Sequence, residues 1–217
     1  MNGKTNKIWR FKLAMRPSVM IPRVTTILRS ATGVTIACMA LLACSSRPAS
    51  GIQVNSKPTA PYDLTAAIKN PPGEFDRVEA KAFYEVQNPA CAPITSVSGV
   101  RNAPRHTISL PVAKTGDSFH ATFFADALVD GDYYGQGICH WRLTSVGVSV
   151  VRKSRRFDAS VSPPAPHQQS ITAPYFSIES YEDSSQSLID TGLRDKSELT
   201  HPDKAFQIEL TTSAVMP

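Results

Sequence analysis

The chain has 217 residues, with 23 Lys and Arg against 18 Asp and Glu, and a formal net charge of +5. The sign suggests a nucleic-acid partner, but the placement of the charge excludes one. Seven of the bases and none of the acids fall in residues 1–43, which leaves 16 bases against 18 acids in the rest.

Residues 1–43 read as an export signal. Lys4, Lys7, Arg10, Lys12, Arg16, Arg23 and Arg29 form a basic lead into the uncharged apolar segment 32–43, TGVTIACMALLA. A membrane-crossing helix needs about 20 apolar residues, so this segment is too short to span and has the length of a signal core. It ends in Leu41-Leu42-Ala43-Cys44, which resembles the lipobox of bacterial lipoproteins. The resemblance covers the N-terminal fifth of the chain and rests on features in fixed order: basic lead, short apolar core, small residue, cysteine. It implies that a diacylglyceryl group is attached to the Cys44 thiol, that the signal is cut before it, and that the new amine is acylated. Leu42 departs from the pattern, which more often has a small residue there. Ser45, where an Asp would favour inner-membrane retention in enteric bacteria, implies the periplasmic face of the outer membrane. The alternatives are a short uncleaved anchor or a plain signal cut elsewhere. The lead is long, and initiation at Met15 or Met20 would give a more ordinary signal.

Residues 44–61 are rich in Ser and Pro and read as a flexible tether. Residues 62–217 then form the single domain; from Cys44 on there is chain enough for one core and not two. Strands are expected where apolar and other residues alternate. Residues 62–68 place Tyr62, Leu64, Ala66 and Ile68 on one face. Residues 78–86 place Val78, Ala80, Ala82, Tyr84 and Val86 inward. Residues 106–113 (Ile108, Leu110, Val112) and 118–125 (Phe119, Ala121, Phe123) form a predicted hairpin about Lys114-Thr115-Gly116-Asp117. Residues 137–151 form a long strand region in which Cys139, Trp141 and Leu143 share a face, Val146, Val148 and Val150 resume the alternation, and Gly147 marks a bulge or bend. The base run Arg152-Lys153-Ser154-Arg155-Arg156 is expected as a solvated strand end or loop. Residues 160–174 read as a loop, 175–181 as a strand, 184–190 as a helical turn, and 205–211 as a last strand with Phe206, Ile208 and Leu210 inward. Some seven short strands with turns between them predict an all-β antiparallel sandwich. A Cys–Cys pair with a nearby Trp resembles the immunoglobulin-type core, but Trp141 follows the second cysteine instead of lying between the two. The expectation is therefore of the architecture alone.

Of four cysteines, Cys38 leaves with the signal and Cys44 takes the lipid. Cys91 and Cys139 remain in an oxidising compartment and are expected to pair, closing a loop of about 48 residues. A metal site or a reactive thiol is the alternative. No catalytic or nucleotide-binding signature is found: neither GxSxG, HExxH, a P-loop nor a GxGxxG after a strand occurs. His120 and His140 would meet only if their strands were neighbours, and two imidazoles make a poor metal site. Glu179, Glu182 and Asp183 lie in a polar run and read as solvated. Tyr133 and Tyr134, with glycines at 131, 135 and 137, make a candidate partner-binding loop. These observations favour a membrane-anchored binding or structural lipoprotein, without cofactor, metal or catalysis, acting on an unknown protein partner. A periplasmic inhibitor or immunity lipoprotein and an enzyme with an unrecognised site are the other readings.

Overall fold

The computed structural model describes residues 51–95, 98–165 and 167–215. The expected signal, its lipobox and Cys44 lie outside the described residues.

The domain is an all-β sandwich of two sheets. The first runs β4 (Ala113–Thr115), β5 (Ser118–Phe124), β1 (Pro61–Lys69), β11 (Ala205–Ala214) and β8 (Gln169–Thr172), with β9 (Tyr175–Ser177) also pairing with β11. The second runs β10 (Ile189–Asp190), β7 (Arg155–Val161), β6 (Trp141–Arg152), β2 (Arg77–Val86) and β3 (Arg105–Leu110). Every pairing is antiparallel except β10 with β7.

The alternation of the sequence is the cause of the core. Leu64 and Ala66 of β1, Ala121 and Phe123 of β5, and Phe206, Ile208 and Leu210 of β11 are buried from the first sheet. Ala80, Ala82 and Tyr84 of β2, Val146, Val148 and Val150 of β6, and Phe157 and Ala159 of β7 meet them from the second. Tyr84 ties the sheets together, because its hydroxyl donates to the Phe124 carbonyl at 2.7 Å. Burial, with the Asp126 charge adding to it, pushes this phenol up to about 12, so it remains a donor.

Several expectations are corrected. The predicted hairpin splits at Pro111, which has no N–H to give a ladder. Residues 105–110 pair with β2 in the second sheet, and only Ala113–Thr115 pairs back on β5. The bulge falls at Thr144, not Gly147: Phe83 faces Ser145 while Tyr84 faces Leu143, so Thr144 is the extra residue. The expected loop 160–174 contains β8, an edge strand carried by β11. The helical turn lies earlier, at α1 (Ile178–Glu182), because the Ser177 side chain accepts from Glu179 N and ends β9 there. The base run is the expected strand end and turn, between β6 and β7 with Lys153 and Ser154 exposed, except at one residue. Arg155 is buried, donating to Asp183 O at 2.6 Å and Ser180 Oγ at 3.2 Å, and so ties β7 to the segment after β9.

The expected tether is corrected in its second half. Ile52 packs on the core, Val54 bridges Leu128, and Asn55 N donates to Ala127 O at 2.8 Å. The Asp126 carboxylate then accepts from Thr59 N at 2.8 Å and Ala60 N at 3.1 Å. Residues 52–60 are thus a strap laid on the sandwich. Partial burial pushes the Asp126 carboxyl up, but these N–H groups and the Thr59 hydroxyl outweigh it and hold the value below the ordinary one. A lowered native value contributes stability that is present above the ordinary carboxylate range and lost as pH falls through the lowered value. Asp126→Asn is therefore expected to loosen the strap by about 1 kcal/mol at neutral pH and to abolish its loss in acid. Amide exchange at Asn55, Thr59 and Ala60 as a function of pH is the measurement; unchanged protection in the variant would refute the assignment.

Candidate functional site

A broad recess lies on the outward face of the second sheet. Residues there alternate with the core residues, and the pairing register places them side by side: Phe83 beside Ser145, Lys81 beside Gly147, Gly147 beside Ser160, and Glu79 beside Ser149. The result is an open groove of about 860 Å³. Its floor carries the hydroxyls of Ser145, Ser149 and Ser160, with the Phe83 ring, 36% exposed, at one side. Gly147 also lines it. A Cβ there would stand 3.2 Å from the Ala159 carbonyl and 3.3 Å from the Phe83 ring, so the glycine lets that ring lie against the sheet.

One wall is the segment from Ile189 to Arg194. Asp190 fixes it, accepting from Ser180 Oγ at 2.9 Å and from Gly192 N at 2.9 Å. Tyr175 and Leu193 exchange backbone hydrogen bonds of 2.8 and 2.9 Å. Gly192 has φ of +67°, and a Cβ on it would come within 2.8 Å of Pro174 and 2.9 Å of the Phe176 ring. Gly192→Ala is expected to cost about 2–3 kcal/mol, from the left-handed backbone and the displaced ring together. Urea unfolding reads it, and a loss below about 0.5 kcal/mol would mean that the wall yields freely.

The groove is positively charged. Lys81, Arg156 and Arg194 line it with one acid, Asp158. Arg156 is shared: it donates to Ser149 Oγ at 2.6 Å and lies 3.8 Å from Glu79 and 3.6 Å from Asp158. Among the described residues Lys81 and Arg194 form no ion pair. The sequence analysis missed this groove. Its members are spread over β2, β6, β7 and the 189–194 wall, and only the register assembles them.

The residues singled out in the sequence lie elsewhere. Cys91 and Cys139 form a disulfide, with Cα atoms 5.3 Å apart. It closes one end of the second sheet, beyond β2 and before β6, and does not join the two sheets. Tyr133 is buried against it, its ring 6.3 Å from Trp141 and its hydroxyl donating to Val129 O. Tyr134 is half-buried on the same cluster. Neither tyrosine lines the groove.

His120 and His140 are not brought together, since β5 belongs to the first sheet and His140 stands just before β6 of the second. The His120 ring lies 3.2 Å from Thr65 Oγ1 in a separate recess of about 500 Å³, and His140 lies 2.7 Å from Asp130. Glu179 meets His201 at 2.7 Å, while Asp183 stands 3.8 Å from Arg155. Among the described residues no group of three or more His, Cys, Asp or Glu side chains could hold a metal. No family model matches the chain, and no curated protein or solved structure matches it either.

Proposed function

We propose that the chain is a lipid-anchored protein of the bacterial envelope, held through Cys44 on the periplasmic face of the outer membrane, which acts by binding and not by catalysis. The anchor rests on the Leu41-Leu42-Ala43-Cys44 motif at the end of a short apolar core. The Cys91–Cys139 bridge suits the oxidising compartment that such an anchor implies. The observation that carries the binding reading is the groove: Lys81 and Arg194, without an ion pair among the described residues, an exposed phenyl ring and a floor of hydroxyls. That set fits an acidic segment of a protein with one apolar side chain laid on Phe83. Apolar contact and a few placed polar groups are what a recognition surface needs. An inhibitor or immunity protein would use the same groove.

Catalysis is the second reading, and its one foothold is the Thr65–His120 contact. A nucleophile needs its base oriented by a third group, and among the described residues the His120 ring has no carboxylate partner.

The test is charge reversal. Lys81→Glu with Arg194→Glu is expected to leave the melting temperature within about 2 °C, since Arg194 is exposed, Lys81 is half-buried on the open groove, and neither forms an ion pair among the described residues. It is expected to weaken binding of the partner at least tenfold, read as loss of the periplasmic cross-link formed by the wild type. A cross-link of unchanged yield would refute the groove as the recognition surface.

A further inference from the structure

Where the strap meets the sandwich limits how the domain can stand on its membrane. Seven residues lie between Cys44 and Ile52, the first described side chain packed on the core, which makes eight steps along the backbone. An extended chain covers at most ~3.6 Å per residue, so the Cα of Cys44 lies within ~29 Å of that of Ile52 whatever path the intervening residues take. Strand β6 alone has 12 residues, and at ~3.3 Å each it is ~40 Å long. The tether is shorter than the sandwich. The end that receives the strap therefore stays within ~29 Å of the anchor and cannot be the end that points away from the bilayer.

That end exposes apolar side chains on a rigid base. Val54 is 61% exposed, Val129 38% and Ile138 55%. Their segments are bonded to one another. Val129 N donates to Gln53 O at 2.9 Å, Val54 bridges Leu128, and Cys139, next to Ile138, donates to Gly131 O at 2.9 Å. Tyr133 and the disulfide lie beneath them. The charge at this end is not that of a surface drawn to anionic headgroups. Asp130, beside His140, and Asp132 are both exposed there against Lys57 of the strap, and the Arg101 guanidinium is spent on the carbonyls of Ala90 and Ala92 and on Gln136. Contact with lipid would come from apolar burial.

We propose that this disulfide-closed pole rests on the bilayer that carries the anchor, with Val54, Val129 and Ile138 at the headgroup boundary. The inference rests on the Cys44 anchor proposed above. Tethering supplies a high effective concentration, so a contact too weak to recruit a free protein holds an anchored one in a fixed orientation. The outward face of the second sheet then stands beside the membrane, with its groove open to the periplasm.

Trp141 reports on the pole. It is the only tryptophan after Ala43, and it packs 6.3 Å from Tyr133. The membrane-extracted mature protein, its N-terminal peptide identified by mass, is reconstituted into neutral phosphatidylcholine vesicles with and without bromine on the acyl chains near the headgroup. The expected result is at least a roughly twofold quenching of Trp141 by the brominated lipid, unchanged in high salt. Val54→Asp with Ile138→Asp is expected to restore most of the emission. Both side chains are exposed, and Ile138→Asp alone serves as the milder variant. Equal emission in the two kinds of vesicle would overturn the contact while leaving an acylated Cys44 standing. Quenching as strong in the variants as in the wild type would also overturn it, because the tether alone would then account for the proximity. An unacylated Cys44 would remove the anchor and this inference with it.

Discussion

Phe157→Ala is expected to destabilise the domain by about 3–5 kcal/mol, the cost of removing a phenyl ring from a site that does not collapse. Phe157 on β7 has no exposed surface. Its ring stands 5.2 Å from Phe206, 5.6 Å from Phe176 and 6.2 Å from Phe75, mostly edge to face. These neighbours come from β11, β9 and the segment before β2, so the ring fills the space between the sheets. Each neighbour is held by its own strand or loop, and Tyr181 fixes Phe75 by donating to Glu74 O at 2.7 Å while packing 5.2 Å from its ring. The wall therefore stays open when the ring is removed. For a domain of this size the loss corresponds to a fall in melting temperature of roughly 10–15 °C. Phe157→Leu is expected to cost about a third as much, since most of the volume is kept. A loss below about 1 kcal/mol for the alanine variant would mean that the two sheets are held together elsewhere.

Breaking the disulfide is the second large effect. Cys91 and Cys139 are separated by 48 positions, and closing a loop of that size removes about 4 kcal/mol worth of freedom from the unfolded chain. The small cluster at this pole has four buried members, Val86 and Tyr133 with the two cysteines, and Ile52, Tyr134 and Trp141 pack against it half-buried. Cys91→Ser with Cys139→Ser is expected to lower the urea midpoint by the equivalent of about 3–4 kcal/mol, and reductant is expected to do the same to the wild type. Native hydrogen bonds remain across the gap. Asn88 donates to Ile138 O at 2.7 Å and accepts from His140 N at 2.8 Å, and Gln87 N donates to His140 O at 2.9 Å. They keep the ends of β2 and β6 aligned in the folded state, so the loss comes through the unfolded chain. A loss under about 1 kcal/mol would show that the unfolded chain is already compact around these residues.

Strands were legible wherever one face is buried and the other is not. β1, β2, β5 and β11 fall within a few residues of the alternating runs at 62–68, 78–86, 118–125 and 205–211, and their buried residues are the ones alternation marks. The bulge was legible too. The inward set changes from the odd-numbered Cys139, Trp141 and Leu143 to the even-numbered Val146, Val148 and Val150, which requires one extra residue between them. The conspicuous Gly147 drew the bulge to the wrong place, because its role is close approach of the Phe83 ring. Pairing was not legible. Nothing local tells residues 105–110 to join β2 while 113–115 turn back on β5, beyond the break that Pro111 imposes. β8 and the strap are polar segments whose order comes from partners far along the chain, Thr212 for Ser170 and Asp126 for Thr59. The groove is of the same kind: Lys81, Gly147, Ser160 and Arg194 have no shared motif and meet only through register and the 189–194 wall.

The central claim is an envelope protein anchored at Cys44, and intact mass of the mature protein from the membrane fraction tests it most directly. The account predicts a polypeptide beginning at Cys44 and carrying diacylglyceryl and N-acyl groups. A mature chain with an unmodified N-terminus, or one that retains residues 1–43, would contradict it.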